Sequence, residues 1–272
     1  QKKSFEVAVI AWNEHRESWL VDRFSILQRA DLEVLRPGDN IDDWDAIEHA
    51  VLNQVYPLCD AEGKPDAKGR VLPIAKVALD TGGVPGVTAN ARQWAANIQS
   101  RTVNPVPAWR ISLQVGDAWK AGEKWHRLRK ITHDEGGREY AVPVLERTIN
   151  VFEIKKIIAH RMVTTDHPGP GWMHLPADVK DNHVMELCAE TLVGDAWIAR
   201  GRNELWDQWV GCEVARGLLA PDNNTIDWDK RPPSWAVAFV PSQTRTRGGM
   251  PAPEEDLFAK LRKFNRRRPQ RR

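Results

Sequence analysis

Cysteine is scarce in this sequence, and long apolar runs are missing altogether. Cys59, Cys188 and Cys212 are the three cysteines among 272 residues. An odd number at wide spacing argues against a disulfide framework and against a cysteine-based zinc site, and it fits a reducing compartment. No stretch of about 18 apolar residues occurs, so no segment reads as a membrane-spanning helix. The first residues do not read as a secretory signal peptide. The pattern G-x-x-x-x-G-K-[ST] is absent, so a Walker-type ATP site is not expected. The eight histidines form no H-x-x-x-H pair and no His/Cys cluster with zinc spacing. No G-x-S-x-G or similar cue marks a serine nucleophile. No internal repeat is evident.

What is present is enough for a sizeable core. Hydrophobic residues make up 42% of the chain, and 13 tryptophans stand out. Most of these should be core or half-buried, and a few could stack on bases. The net charge of +2 hides an uneven distribution. Residues 241–272 hold ten Lys or Arg against three acids, so that segment carries +7 and residues 1–240 carry −5. Basic tails of this kind meet nucleic acid or acidic protein surfaces, or stay solvated. The chain opens at Gln1 and enters a strand-like run almost at once, which suggests a fragment of a longer protein.

Along the chain, Ser4–Trp12 and Ser18–Ile26 read as a hairpin. Asp42–Tyr56 has helical spacing at Trp44, Ile47, Val51, Leu52 and Val55. Val71–Leu79 reads as one strand and Thr88–Arg101 as a helix that Thr88 could cap. Ala108–Gly116 is a further strand, and Lys124–Val144 a hairpin around Gly136-Gly137. Asn150–Met162 is an amphipathic helix, and Val179–Val193 a short helix or a strand and turn. Arg202–Leu219 is a helix with apolar positions at Leu205, Trp206, Trp209, Val210, Val214 and Leu218. Beyond Ala220 the sequence turns Pro/Gly-rich, with a short helix over Glu254–Phe264 before a basic end. Strands and helices alternate after the opening hairpin, which predicts an α/β domain with a mixed sheet.

Several acids are candidates for chemistry. Asp80 ends the apolar run "VALD" and precedes Thr81-Gly82-Gly83. Ligands in open α/β sheets bind outside the carboxyl ends of strands, and the glycines would let an anion or a backbone approach. An ordinary turn is the competing reading. Asp207 lies in the first turn of a helix, three residues after Glu204, where acids also simply stabilise the helix. Tryptophans surround it, which predicts a partly buried carboxylate needing partners. Asp22 follows "WLV" on the second strand and could share the Asp80 edge or pair with Arg23 or a lysine. Glu190 in "LCAE" reads as structural. Lys155 and Lys156 sit on the polar side of the Asn150 helix, either solvated or touching a phosphate.

Five of these stretches, taken in order, resemble the nuclease domain of the large terminase subunit of tailed bacteriophages, the lambda-like group. They are "WLVDR" (Trp19–Arg23), "ALDTGG", "GPGWMHLP" (Gly169–Pro176), "LCAE" (Leu187–Glu190) and "RNELWDQWV" (Arg202–Val210). The resemblance spans about residues 1–220 and leaves 221–272 as a Pro/Gly-rich, basic and largely flexible tail. It implies a ribonuclease-H-like fold, a mixed sheet flanked by helices, and metal-dependent cutting of double-stranded DNA during genome packaging in the host cytoplasm. It also implies a cluster of acids holding two Mg²⁺ or Mn²⁺ ions, hard cations that take carboxylate oxygens. Carried over by motif, Asp80 and Asp207 are the catalytic metal ligands, with Asp22 a further candidate ligand and Glu204, Asn203 and Lys155 auxiliary. The family's first catalytic Asp falls just upstream of Gln1, so an impaired site is expected in residues 1–272. Expected partners are the upstream ATPase domain of the same protein, the small terminase subunit and the portal. A non-catalytic ribonuclease-H-like module that binds DNA or portal is the alternative, and an adaptor acting through residues 241–272 a third reading.

Overall fold

The computed structural model describes residues 4–27, 44, 47–59, 64–82, 86–117, 124–164, 167–220, 226–230 and 232–241. Strands β1 (Ser4–Trp12) and β2 (Ser18–Leu27) form the expected antiparallel hairpin, with a register shift between Val9 and Ile10. Asn13 shapes its turn, its side-chain oxygen accepting from the backbone N–H groups of His15 and Glu17 at 3.0 Å each. Short strands β3 (Val55–Pro57) and β4 (Val71–Pro73) pair with each other. The larger sheet is built from β5 (Val77–Asp80), β6 (Ile111–Asp117), β7 (His126–His133) and β8 (Glu139–Asn150), in the order β5-β6-β8-β7. Its β5, β6 and β8 are parallel, and β7 runs antiparallel at the far edge.

Helices cover both faces of that sheet. Helix α1 (Val87–Ser100) packs Trp94, Ala95 and Ile98 against Ile111, Leu113 and Val144. A second cluster gathers helix α2 (Val151–Thr164) and helix α4 (Glu204–Leu219) over Ile149 and Leu20. Ile154, Ile158, Leu205 and Trp209 are fully buried there, and removing each such side chain from water contributes about 1.5–3 kcal/mol. Between these elements lie β9 (Met173–His174), parallel to β2, then helix α3 (Asp181–Leu187) and the hairpin β10 (Glu190–Val193) with β11 (Ala196–Ala199). The fold is a mixed α/β arrangement of sheets flanked by helices, as the ribonuclease-H-like expectation required.

Two local expectations are corrected. The helix expected over Asp42–Tyr56 is, among the described residues, helical at Trp44 and Ile47 and π-helical over Glu48–Leu52, but it stops there and β3 takes up Val55–Pro57. Val55 and Tyr56 favour extended backbone, and Pro57 disfavours a helical residue before it. The single strand expected over Val71–Leu79 is two, β4 and β5, which pair in different sheets. Pro73 has no N–H to continue a ladder, so the chain leaves one sheet and enters the other. Residues 226–230 and 232–241 lie against the body. Phe239 exchanges backbone hydrogen bonds with Val71, and Trp228 meets Trp235 edge-on at 5.9 Å. The helix expected at Glu254–Phe264 and the basic end lie outside the described residues.

Candidate functional site

The parallel strands β5, β6 and β8 end at one edge of the sheet. Asp80 closes β5, and Asp117 stands opposite Asn150 at the ends of β6 and β8. Buried Asn150 then starts α2, its side-chain oxygen accepting from the N–H of Glu153 at 3.3 Å. Lys155 therefore sits one turn into α2, close to the edge that carries Asp80. A Cβ added at Gly116 would meet Val151 at 3.0 Å, which shows how closely the helix start sits on the strand end.

Asp80 is exposed on a short turn. Its Oδ1 accepts from the N–H of Gly82 at 2.9 Å, and a Cβ at Gly82 would lie 3.2 Å from that oxygen. Thr81 is fully buried and locks the strand end, its N–H and Oγ1 both donating to the Gln114 carbonyl at 2.9 and 3.1 Å. Thr88 does not cap α1; its hydroxyl donates to the Thr81 carbonyl, and Gly86 stands at the N-cap. Gly83 lies outside the described residues.

Asp207 belongs to a compact network. Its Oδ1 lies 3.0 Å from Lys155 Nζ, and its Oδ2 accepts from Asn203 Nδ2 at 2.9 Å. The same Lys155 and Asn203 each donate to Glu190 Oε1 at 2.6 Å. Lys155 and Glu190 are buried, with side chains 7% and 3% exposed, whereas the Asp207 side chain is 50% exposed. This corrects the expectation of an Asp207 wedged among tryptophans. Trp206 and Trp209 are buried, but successive helical residues point about 100° apart, so Asp207 faces outward. It also places Lys155 in an ion pair rather than on a solvated face.

Asp80, Lys155, Asn203, Glu204 and Asp207 all line one cavity of about 870 Å³. Asp22 does not line it; its carboxylate accepts from the Tyr56 hydroxyl at 3.0 Å. Burial, with the Asp22 charge and hydrogen bond, pushes the Tyr56 phenol above its usual range. Arg23 points elsewhere, to Glu186. Lys76, on the approach to β5, also lines the cavity, and burial aided by the Arg147 charge brings its amine down to about 8.

Of two acids that organise this network, Glu190 was read from the sequence as structural and Glu186 escaped the sequence reading. Glu190 anchors Lys155 and Asn203, and its Oε2 is buried with no hydrogen-bond partner. Glu186, also buried, accepts from Arg23 and from the Leu205 N–H at 3.2 Å, and is ion-paired with Arg202 Nε at 3.1 Å. It thereby fixes the first turn of α4, and with it the position of Asp207. The signal was the pair of acids four apart in "ELCAE", which flank the end of one short element; their partners lie in other elements and no local pattern names them.

The donor chemistry suits a hard divalent cation, since Asp80 and Asp207 offer carboxylate oxygens to one cavity. Among the described residues, no group of three or more His, Cys, Asp or Glu side chains is placed to hold such an ion. Asp80 and Asp207 are two carboxylates on one cavity and do not by themselves make a complete ligand set.

These features define a mixed α/β domain that presents acids at the ends of parallel strands, the edge where α/β enzymes place their chemistry. The chain belongs to the family of terminase large subunit gpA endonuclease domains, which residues 1–228 match. Searches among curated proteins and among solved structures return no match. Family membership makes this a nuclease domain of a packaging terminase.

Proposed function

We propose that the chain is the metal-dependent endonuclease of the packaging machine, hydrolysing phosphodiesters of double-stranded DNA with Asp80 and Asp207 as ligands to Mg²⁺ or Mn²⁺. The observation that carries the reading is that these two residues, from motifs far apart in sequence, line one cavity. Bound ions would activate the attacking water and stabilise the leaving oxygen, as paired ions about 3.5–4 Å apart do in such enzymes. The chain's own residues hold and orient. Thr81 and Gly82 fix the turn that presents Asp80. Asn203 and Lys155 orient the Asp207 carboxylate, and Glu190 holds both of them in place. Glu204 lines the same cavity from the neighbouring helical position. Asp22 stands outside the cavity, its Oδ2 accepting from the Tyr56 hydroxyl, and is left out of the ligand set.

In this reading the partners are the ATPase domain of the same protein, the small subunit and the portal. The division near residue 220 into a nuclease body and a basic tail belongs to the same reading, although Phe239 hydrogen-bonds to Val71 of the body. The test is Mn²⁺-dependent plasmid nicking by the protein. Asp80→Asn and Asp207→Asn should each lower the rate at least 100-fold without changing the far-ultraviolet spectrum. Nicking that survives both substitutions refutes the site, and DNA binding without nicking in the parent chain assigns a binding module instead.

A further inference from the structure

The row of the larger sheet that starts at Asp80 crosses to a second charge. Asp80 stands opposite Gln114, Gln114 opposite Arg147, and Arg147 opposite Leu128, so one row runs over β5, β6, β8 and β7. Side chains alternate along a strand, and residues in register share a face. Arg147 therefore lies on the same face as Asp80, two strand spacings or about 10 Å away. Leu128 is flanked on that face by His126 and Lys130, two residues to either side of it on β7. Beyond β7 the sheet ends.

Charge on this face has one sign. By alternation it carries no acid from Ser112 to Gly116 on β6, from His126 to Lys130 on β7 or from Leu145 to Ile149 on β8. Glu146 points to the opposite face, where Arg92 of α1 donates to it. Among the described residues Arg147 meets neither a carboxylate nor a hydrogen-bond acceptor, and its Nε is buried. His126 Nδ1 is likewise buried with no partner. The cations act on one another instead. Burial, then the charges of Arg147 and Lys124, holds the His126 imidazole below its usual range, and burial, then Arg147, lowers the Lys76 amine.

Strand β7 reads "HRLRKITH", and charges on an edge strand keep other chains from pairing with it. That role accounts for Arg127, Arg129 and Lys130. It does not account for Arg147, which lies on an inner strand and guards no edge. A guanidinium partly withdrawn from water with no anion is costly, and its planar fork fits phosphate oxygens. Leu128 is 55% exposed and Lys130 is exposed, so this face is open to a large ligand.

We infer that Arg147, with Lys130 and His126 beside it, binds a backbone phosphate of duplex DNA at a distance from the metal ligands. Each DNA strand carries a phosphate per about 3.4 Å of helix axis, so about 10 Å puts this one about three nucleotides from the phosphate at Asp80. A backbone contact of this kind fixes register and orientation and reads no sequence. Arg147 is thus a positioning residue. DNA is the chosen anion because of the nuclease reading; the unpaired guanidinium stands on geometry alone.

The test measures binding of a labelled duplex of about 30 base pairs by fluorescence anisotropy in EDTA, across a salt series, so that no cutting enters the readout. Arg147→Gln should weaken binding about 5-fold or more at about 0.1 M salt and reduce the salt slope by about one, equally for duplexes of unrelated sequence. Arg147→Lys, which keeps the charge but loses the fork, should fall between the two. Lys68→Gln, at an exposed position between β3 and β4, should bind like the parent. Without DNA, Arg147→Gln should melt at or above the parent temperature, because it removes a charge that has no partner. A parent that binds no duplex overturns the inference, as does Arg147→Gln with parental affinity and salt slope. A variant that melts well below the parent without DNA shows that Arg147 serves the fold, and overturns it too. Inorganic phosphate that stabilises the parent as much as duplex at equal phosphate concentration assigns a small-anion site instead of DNA. Nicking that is lost in Asp80→Asn while Arg147→Gln binds normally leaves the nuclease reading standing and removes only this site.

Discussion

Replacing Lys155 by Met separates the structural from the chemical part of the acidic network. Lys155 Nζ serves two carboxylates, Glu190 at 2.6 Å and Asp207 at 3.0 Å. The Glu190 side chain is 3% exposed and the Asp207 side chain 50%. Breaking a buried pair leaves an uncompensated charge and costs about 3–5 kcal/mol. A half-exposed pair is screened by water and is worth about 0–1 kcal/mol. Lys155→Met should therefore cost about 3–5 kcal/mol, nearly all of it through Glu190, whose second oxygen already lacks a partner. For a domain of this size that lowers Tm by on the order of 10 °C. Asp207→Asn should lower stability by about 1 kcal/mol or less. Glu190→Gln placed on Lys155→Met removes the orphaned charge and should restore about half of the loss or more. Urea unfolding of the four chains at pH 7 measures all of these. Equal costs for Lys155→Met and Asp207→Asn, or no recovery in the double variant, would refute the unequal partition.

Three further outcomes follow from groups away from that network. Burial would raise the Glu213 carboxyl, but the charges and hydrogen bonds of Arg161 and Arg216 outweigh it and hold the group below its usual range. A depressed carboxylate stabilises the fold above its unfolded pKa of about 4.3 and loses that contribution as pH falls through the folded value. Urea midpoints of the parent and Glu213→Gln should accordingly converge between pH 6 and pH 3, and a constant gap would remove the assignment. Burial, then the Glu213 charge, pushes the Cys212 thiol up to about 12, while Cys59 and Cys188 are exposed. At pH 8 a disulfide reagent should modify Cys59 and Cys188 rapidly and Cys212, which is only partly exposed, much more slowly; three equally fast thiols would contradict the raised thiol. Gly217→Ala would put a Cβ 2.0 Å from the Trp125 ring. Its cost of about 1–3 kcal/mol from overpacking should exceed the gain in helix propensity of about 1 kcal/mol, and a higher Tm would show that Trp125 moves aside.

The periodic elements were legible because their signals are local. β1, β2, α1, α2 and α4 each carry an apolar rhythm that matches the backbone they adopt. The break at Pro73 was legible in principle, but the apolar residues on both sides of it masked two strands as one. The outward direction of Asp207 was also within reach, since Trp206 and Trp209 fix the buried stripe of α4 and leave position 207 off it. The anchor of the site was not legible. Lys155 and Glu190 are 35 positions apart and on different elements, and each looks like an ordinary charged residue beside an apolar run. Only the packing of α2 against the start of β10 brings them together.

That packing also decides how the two acids can divide their work. The carboxylate that cannot leave Lys155 is Glu190, because water does not reach it and its second oxygen has no other donor. Asp207 touches the same ammonium from a position half open to solvent, where exchanging Lys155 for another cation costs about 1 kcal/mol or less. At rest, Lys155 supplies the positive charge that the acids at this edge need. On the proposed reading, a divalent cation held by Asp80 and Asp207 would replace Lys155 at Asp207 alone and leave the buried Lys155–Glu190 pair intact.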